Sequence, residues 1–546
     1  MLDINIAYNI VAQLNEAMEN SVSYIYGEDR KQSTISSLDE QISTDNPVRL
    51  IDLLVNMLYT DDLSNSVIKG TKRTGRPAYH PRHMIKLYIY GYMNKLASSR
   101  RLEVETKRNI ELKWLINNIC PDFKTISDFR RDNQDAITNM TYRFNQMLKD
   151  KGLIVGELMA LDGTKIKANA GAKELNCEQL AASLKDIEAD IERFFSLLQH
   201  NDLKEELDEL DISALDNEDK ISAKIRELQA RQAQLQEFQK QASSTKRGKV
   251  NLTDPDARMM QGRKESFSGY NLQIIVDSLY KLIASAQVTQ SLNDRNEMIP
   301  ALQNLKETMD IEPGVLLADN GYDNVAALQA IEAEGKTEAL VMIGEEKASE
   351  DSFGKWSFAY DEEKDCYYCP MGNTLKRRGG IQKRKDRLAI IYQCRKKTCG
   401  SCPNRAKCNN NKYGRTITRY TDEKWVEAYR NKVQSPINKA LLRKRKAIVE
   451  HVFGILKCWM GKIPLLLRGR KKVQTEINLY ITAYNLKRLI KLFGFDGVTS
   501  MIMAIRKDNM TFFAYLASIL AFHFPRIASI GKTHNQISCS WSFLVA

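Results

Sequence analysis

The amino-acid sequence predicts a mixed α/β protein in which a helical N-terminal region precedes a sheet interrupted by two insertions. Short apolar runs that end at turn signals, at residues 156–164, 270–288 and 315–321, have the pattern of buried strands. Leu180, Leu184, Ile187, Ile191, Phe194 and Leu198 follow one another by alternate steps of four and three, the seam of paired helices. Six of the ten cysteines fall between positions 366 and 408, which marks a separate small insertion.

Residues 1–150 read as a separate all-helical domain, with Met84, Leu87, Tyr88, Gly91 and Tyr92 on one face and breaks at Pro77, Pro81 and Pro121. The first five residues lack the basic start and apolar core of a signal peptide, so a cytoplasmic location is expected. Residues 151–495 carry the sheet. Within them, 172–242 form a helical hairpin in which Ile221, Ile225, Leu228, Gln232 and Leu235 repeat the seam after an acidic linker at 202–219. The runs 270–276 and 282–288 form a strand hairpin beside the 156–162 strand. A helix over 297–309, strands over 315–318 and 339–343, and the cysteine-rich insertion 350–415 follow. The tail 496–546 is helical or irregular; residues 510–524 are apolar but shorter than the ~20 residues of a membrane span. They are expected to pack as a helix, and no membrane partner is expected.

Three acids have contexts that suit one metal site. Asp162 closes a strand-like run and is followed by Gly163-Thr164; Asp319 follows residues 315–318 and precedes the turn signal Asn320-Gly321. Glu450 lies in a helical pattern whose stripe is Ile448, Val452, Ile455 and Leu456, and a helix packed on the sheet would deliver it between the aspartates. Three carboxylates without His or Cys suit Mg²⁺ or Mn²⁺ rather than zinc. Two such ions roughly 3.5 to 4 Å apart stabilise both oxygens of an in-line phosphoryl displacement, so phosphodiester chemistry is implied. Asp277, at the end of the 270–276 run, is set aside as a residue that supports a metal ligand from behind or simply caps a strand.

The net charge of +13 suits a polyanionic partner, DNA or RNA. Between positions 438 and 473 there are eleven Lys or Arg residues and one acid, Glu450 itself. A carboxylate set in such a basic field points to contact with a nucleic-acid backbone beside a metal.

Ordered motifs carry a family resemblance: Leu161-Asp162-Gly163-Thr164-Lys165, Gly269-Tyr270-Asn271-Leu272-Gln273, Ala318-Asp319-Asn320-Gly321-Tyr322, then Val449-Glu450-His451-Val452-Phe453-Gly454-Ile455-Leu456-Lys457, Leu467-Arg468-Gly469 and Ala483-Tyr484-Asn485. With these the chain resembles bacterial insertion-sequence transposases of the DDE class. The resemblance implies a ribonuclease H-like sheet, catalysis by Asp162, Asp319 and Glu450 with two Mg²⁺ or Mn²⁺ ions, double-stranded DNA as partner, and a homodimer that joins two element ends. Glu450 and Lys457 reproduce the Glu-x6-Lys half of the class signature. Upstream, Lys446 replaces its Arg and Arg443 its Tyr, so no tyrosine role carries over. The implied DNA contacts are Lys446, Lys457, Arg468, Arg470, Lys471 and Lys472. Gly75-Arg76-Pro77, Ser98-Ser99-Arg100-Arg101 and residues 125–131 resemble the end-binding domain of the same class, which implies recognition of terminal repeats. Alternative expectations are a metal-dependent nuclease that does not join, and a domesticated or inactive DNA-binding regulator.

The cysteines suit structural Zn²⁺, because a reducing compartment disfavours disulfides and Cys-x2-Cys pairs bind tetrahedral zinc. Spacing alone selects Cys366, Cys369, Cys399 and Cys402. The transposase resemblance implies instead Cys369, Cys399, Cys402 and Cys408, with Cys366 and Cys394 as alternates.

Overall fold

The computed structural model describes residues 36–59, 78–171, 173–205, 215–244, 248–262, 265–343, 353–384, 387–408, 411–460 and 465–523. Residues 206–214 of the acidic linker, the motif at Gly75 and the tail beyond 523 lie outside them. The described residues fall into two units, 36–44 in one and those from 45 onward in the other. In the first, residues 36–44 make turns closed by reciprocal bonds between Ser37 and Glu40.

The second unit begins with helices α1 (Pro47–Leu58), α2 (Pro81–Met93), α3 (Ser99–Arg108), α4 (Ile110–Leu115), α5 (Phe123–Asp132) and α6 (Gln134–Asp150). Asn46 and His80 cap α1 and α2, each of which starts with a proline whose missing N–H costs a helix start nothing. Met84, Leu87, Tyr88 and Tyr92 are buried as the periodicity predicts.

These helices do not stand apart. They pack into the same unit as the sheet, through the long C-terminal helix that runs over Arg470–His523 with a break at Gly494. The reason is a buried polar seam. Thr141 bonds Thr482 at 2.9 Å, Asn485 donates to Asn145 at 3.0 Å, and both asparagines reach backbone of a sheet strand at Ile283. Buried amides must be satisfied, and here α6, the C-terminal helix and the sheet satisfy one another. The break at Gly494 lies two residues before the boundary expected at position 496.

The sheet is built from β1 (Leu158–Lys167), β4 (Arg258–Gln261), β5 (Ser266–Asp277), β6 (Ile283–Thr289), β7 (Val315–Ala318) and β8 (Glu338–Val341), in the order β4-β5-β1-β7-β8 with β6 also on β5. β5 and β6 form the expected antiparallel hairpin beside β1, while β7 and β8 run parallel to β1. Asp277 is a structural anchor: its carboxylate accepts the N–H groups of Val155, Gly156 and Leu279.

Between β1 and β4 lie strands β2 (Glu174–Asn176) and β3 (Lys249–Asn251), paired antiparallel, with helices α7 (Cys177–Glu205) and α8 (Leu215–Ser244) between them. Leu180 and Leu184 pack on Leu235, Phe238 and Ala242 near that strand pair. After β8 comes a second sheet, of β9 (Ala359–Asp361), β10 (Cys366–Tyr368), β11 (Thr374–Arg377), β12 (Gln382–Arg384), β13 (Arg387–Gln393) and β14 (Thr416–Tyr420), around Tyr367, Leu375 and Tyr392. Helix α9 (Met298–Met309) packs on β5 and β6. Helix α10 (Val325–Glu334) lies on β8, and α11 (Glu423–Gln434) leads into α12 (Pro436–Met460), which lies across β1, β5, β7 and β8. The C-terminal helix is α13. Among the described residues, no helix is long and apolar enough to cross a membrane.

Candidate active site

The parallel register of β1 and β7 sets the site. Ala160 pairs with Leu317, and two residues further along each chain stand Asp162 and Asp319. Asp162 does not end its strand: β1 continues to Lys167, paired with β5 as far as Gly269. Gly163 is therefore not a turn residue. A Cβ there would lie 2.4 Å from the Asp294 carboxylate and 2.5 Å from the Gln273 amide, so the glycine allows close approach of side chains. Asp319 leaves β7 with extended backbone and caps a 3₁₀ turn at Asn320–Tyr322, its Oδ1 accepting the Gly321 N–H at 2.7 Å.

Asp162 is mostly buried and its Oδ2 accepts a bond from Arg445 Nη1 of α12 at 3.0 Å. Burial raises its pKa, Arg445 opposes the rise, and the Asp319 charge adds to it. A half-desolvated carboxylate beside a second one is a hard-oxygen donor pair poorly served by a single guanidinium, and this donor set fits a divalent cation.

Glu450 is placed differently. Ile448, Val449, Val452, Phe453 and Leu456 form the buried stripe of α12, and Arg445 lies on the same side, one turn earlier. At about 100° per residue Glu450 falls beside this stripe. Its side chain is 62% exposed, and its carboxylate faces Lys446 at 3.7 Å. The structure thus brings Asp162, Asp319 and Arg445 together, and leaves Glu450 outside. Among the described residues no three His, Cys, Asp or Glu side chains are grouped to hold a metal ion.

One acidic residue at the site escapes sequence reading. Asp294, in the loop between β6 and α9, lies over Gly163 on the face of β1 opposite Asp162, because successive strand residues point to opposite faces. Its Oδ1 accepts from Asn271 Nδ2 and Gln273 Nε2, both at 2.7 Å, and its Oδ2 would stand 3.6 Å from a Cβ on Gly321. The only signal in the sequence is the pair Asn271 and Gln273, polar at alternate positions of an otherwise apolar strand.

Of the basic residues, Lys457 is exposed on α12, where it lies over the Phe453 ring. The segment 465–470 is pinned to the end of β1: Leu465 N–H bonds the Lys167 carbonyl, Asn169 bonds the Leu466 carbonyl, and Glu476 accepts the N–H groups of Leu466 and Leu467. Arg468 and Arg470 are exposed there, Arg468 bonding the Asn169 carbonyl and Arg470 N–H bonding Asp256. Lys471 pairs with Asp135 at 3.0 Å, both side chains well exposed, and Lys472 is half-buried. Arg130, in the stretch expected to touch DNA, is instead buried: it bonds the Tyr92 hydroxyl and the Ala97 carbonyl.

In the second sheet Cys369, Cys394, Cys399, Cys402 and Cys408 line one pocket, whereas Cys366 is buried in β10 away from it. The backbone N–H groups of Asn373 and Arg415 point at Cys369 and Cys399. Burial raises the thiols of Cys394 and Cys408.

Comparison with known proteins gives two family matches. Residues 36–132 match a family described as a transposase domain, and residues 368–490, which include α12, match one described as a transposase DDE domain. The resemblance drawn from the sequence is borne out by both. No curated protein matches the chain. Among solved structures it is similar to a piggyBac transposase synaptic complex with hairpin DNA, at 10% identity over 84% of this chain and 80% of that one, with a TM-score of 0.30, too low to bear on fold or function.

Proposed function

With transposase-type segments on both sides of its sheet, we propose that this chain is the DNA transposase of an insertion sequence, cutting at element ends and joining them to target DNA. The observation that carries the reading is the placement of Asp162 on β1 and of Asp319 just past the end of its parallel neighbour β7, on strands that α12 packs against. The strand order around β1, antiparallel on one side and parallel on the other, supports the ribonuclease H-like reading of the sheet.

Asp162 and Asp319 would hold divalent metal, with Glu450 as the proposed third carboxylate. Bound Mg²⁺ or Mn²⁺, two ions in this reading, supplies charge stabilisation to the attacking and leaving oxygens of an in-line phosphoryl displacement. Arg445 meanwhile balances the Asp162 charge. Glu450 reaches the aspartates only if Lys446 releases it and α12 turns. Lys446, Lys457, Arg468, Arg470, Lys471 and Lys472 would contact phosphates, and the helices of the N-terminal match would bind terminal repeats. Synapsis of two ends calls for a homodimer.

The exposed position of Glu450 favours one rival, an inactive DNA-binding relative. A labelled duplex carrying the flanking repeat, incubated with Mg²⁺, separates the readings. Joined product from the wild type, lost in Glu450→Gln with end binding kept, supports the transposase; cleavage without joining indicates a nuclease, and binding alone a regulator.

We further propose that Cys369, Cys399, Cys402 and Cys408 bind a structural Zn²⁺, with Cys394, which lines the same pocket, the first alternate. Four thiolates suit tetrahedral zinc, and a bound ion would draw the raised thiols into their ionised form. Chelation is expected to expose residues 353–420 to protease while the first sheet stays resistant. Equal resistance with and without chelator, or zinc absent from the purified protein, would count against the site.

A further inference from the structure

The motifs around Gln273 and Tyr322 are absorbed by neither metal nor DNA binding, yet the structure joins them. Tyr322 is fully buried, and its hydroxyl donates to Gln273 Oε1. Gln273, 1% exposed, donates from Nε2 to Asp294 Oδ1, which also accepts from Asn271. The chain of bonds has one polarity. An ionised carboxylate only accepts, so the Gln273 amide must turn its NH₂ to Asp294 and its oxygen to Tyr322, which then must donate.

Tyr322 ends the turn that begins at Asp319. Its N–H bonds the Asp319 carbonyl at 3.1 Å, and Gly321 N–H fixes the Asp319 carboxylate at 2.7 Å. We propose that Asp294, Gln273 and Tyr322 form a positioning relay that sets the orientation of the Asp319 carboxylate for metal binding. The inference rests on the metal reading of Asp162 and Asp319 given above. Gly163 and Gly321 belong to the same device, because a side chain at Gly163 would displace Asp294 and one at Gly321 would meet the Asp319 carboxylate at 2.8 Å.

The relay is tested by Mn²⁺ binding to the full-length protein, measured by titration calorimetry without DNA, alongside thermal melting without metal. Partners behind a metal ligand typically carry about 10- to 100-fold in affinity, so Tyr322→Phe and Asp294→Ala should each weaken Mn²⁺ binding by at least about 10-fold. Tyr322→Phe keeps the ring that fills the core. Members of one chain are not additive, so the double variant should bind no more weakly than the weaker single one. Asp294→Asn keeps an amide oxygen for Gln273 and should stay within about threefold of wild type if hydrogen bonding rather than charge is what matters. Affinity unchanged in both single variants, losses that multiply in the double variant, or a loss in Asp294→Asn equal to that in Asp294→Ala would each overturn the relay. Asp319→Ala is the reference: if the wild type binds no Mn²⁺, or Asp319→Ala binds it equally well, the metal reading fails and the relay with it.

Discussion

Asp162→Asn is expected to abolish Mg²⁺-dependent cleavage and joining while leaving the fold intact. The metal supplies several kcal/mol of charge stabilisation in such a displacement, which corresponds to about 10³-fold or more in rate. The asparagine keeps the shape and still offers an oxygen to Arg445, so the contact between β1 and α12 survives. Burial, with Asp319 adding to it, raises the Asp162 pKa in the folded state. A raised carboxylate favours folding below its unfolded pKa, and this contribution is lost as pH climbs through the folded value. A divalent cation competes with that proton. The rise in melting temperature caused by Mg²⁺ should therefore grow with pH over the same interval in the wild type and be absent in Asp162→Asn. An equal Mg²⁺ shift in both proteins would sink the ligand assignment.

The largest expected loss of stability comes from Arg130→Met. Arg130 and Glu476 are both buried, and each charge acts on the other: Arg130 opposes the rise that burial imposes on the Glu476 pKa. Removing a buried cation whose charge offsets a buried carboxylate costs up to about 3–5 kcal/mol, because the other charge is left uncompensated. Here the cost spreads, since Glu476 also accepts the N–H groups of Leu466 and Leu467 that anchor the basic segment. Without Arg130 the Glu476 pKa rises further. The deficit should be full at neutral pH and shrink as pH falls through that raised value, where the carboxyl is neutral. Guanidinium denaturation at pH 5 and pH 7.5 measures both. A deficit under about 1 kcal/mol at neutral pH, or one that grows on acidification, would contradict the buried-pair account.

Strands were legible where burial imposes a simple pattern, as in the β5–β6 hairpin and the parallel β7, with its aspartate at the end. Gly163 misled because glycine marks a turn and a close approach alike, and only the folded chain shows Asp294 above it. The stripe of α12 was read nearly correctly. Its centre, at Val449 and Val452, leaves Glu450 to one side, and which neighbour faces the sheet depends on packing that no local pattern records. The N-terminal region was legible as helical, with the buried face of α2, but its union with α13 rests on bonds such as Thr141 to Thr482, between residues far apart in the chain. The strands around the cysteines were not foreseen, since they are three to seven residues long and half-exposed.

The short β2–β3 ladder sets Asn176 opposite Lys249, so the chain leaves for the helical pair and returns at nearly the same point. Whatever lies beyond this clasp is invisible to the register of β1 and β5. Changing its length costs little, since doubling a flexible loop adds only about 0.6 kcal/mol in closure entropy. The clasp is therefore a natural graft point. A fluorescent reporter inserted there is expected to ride on the protein without straining the acidic site.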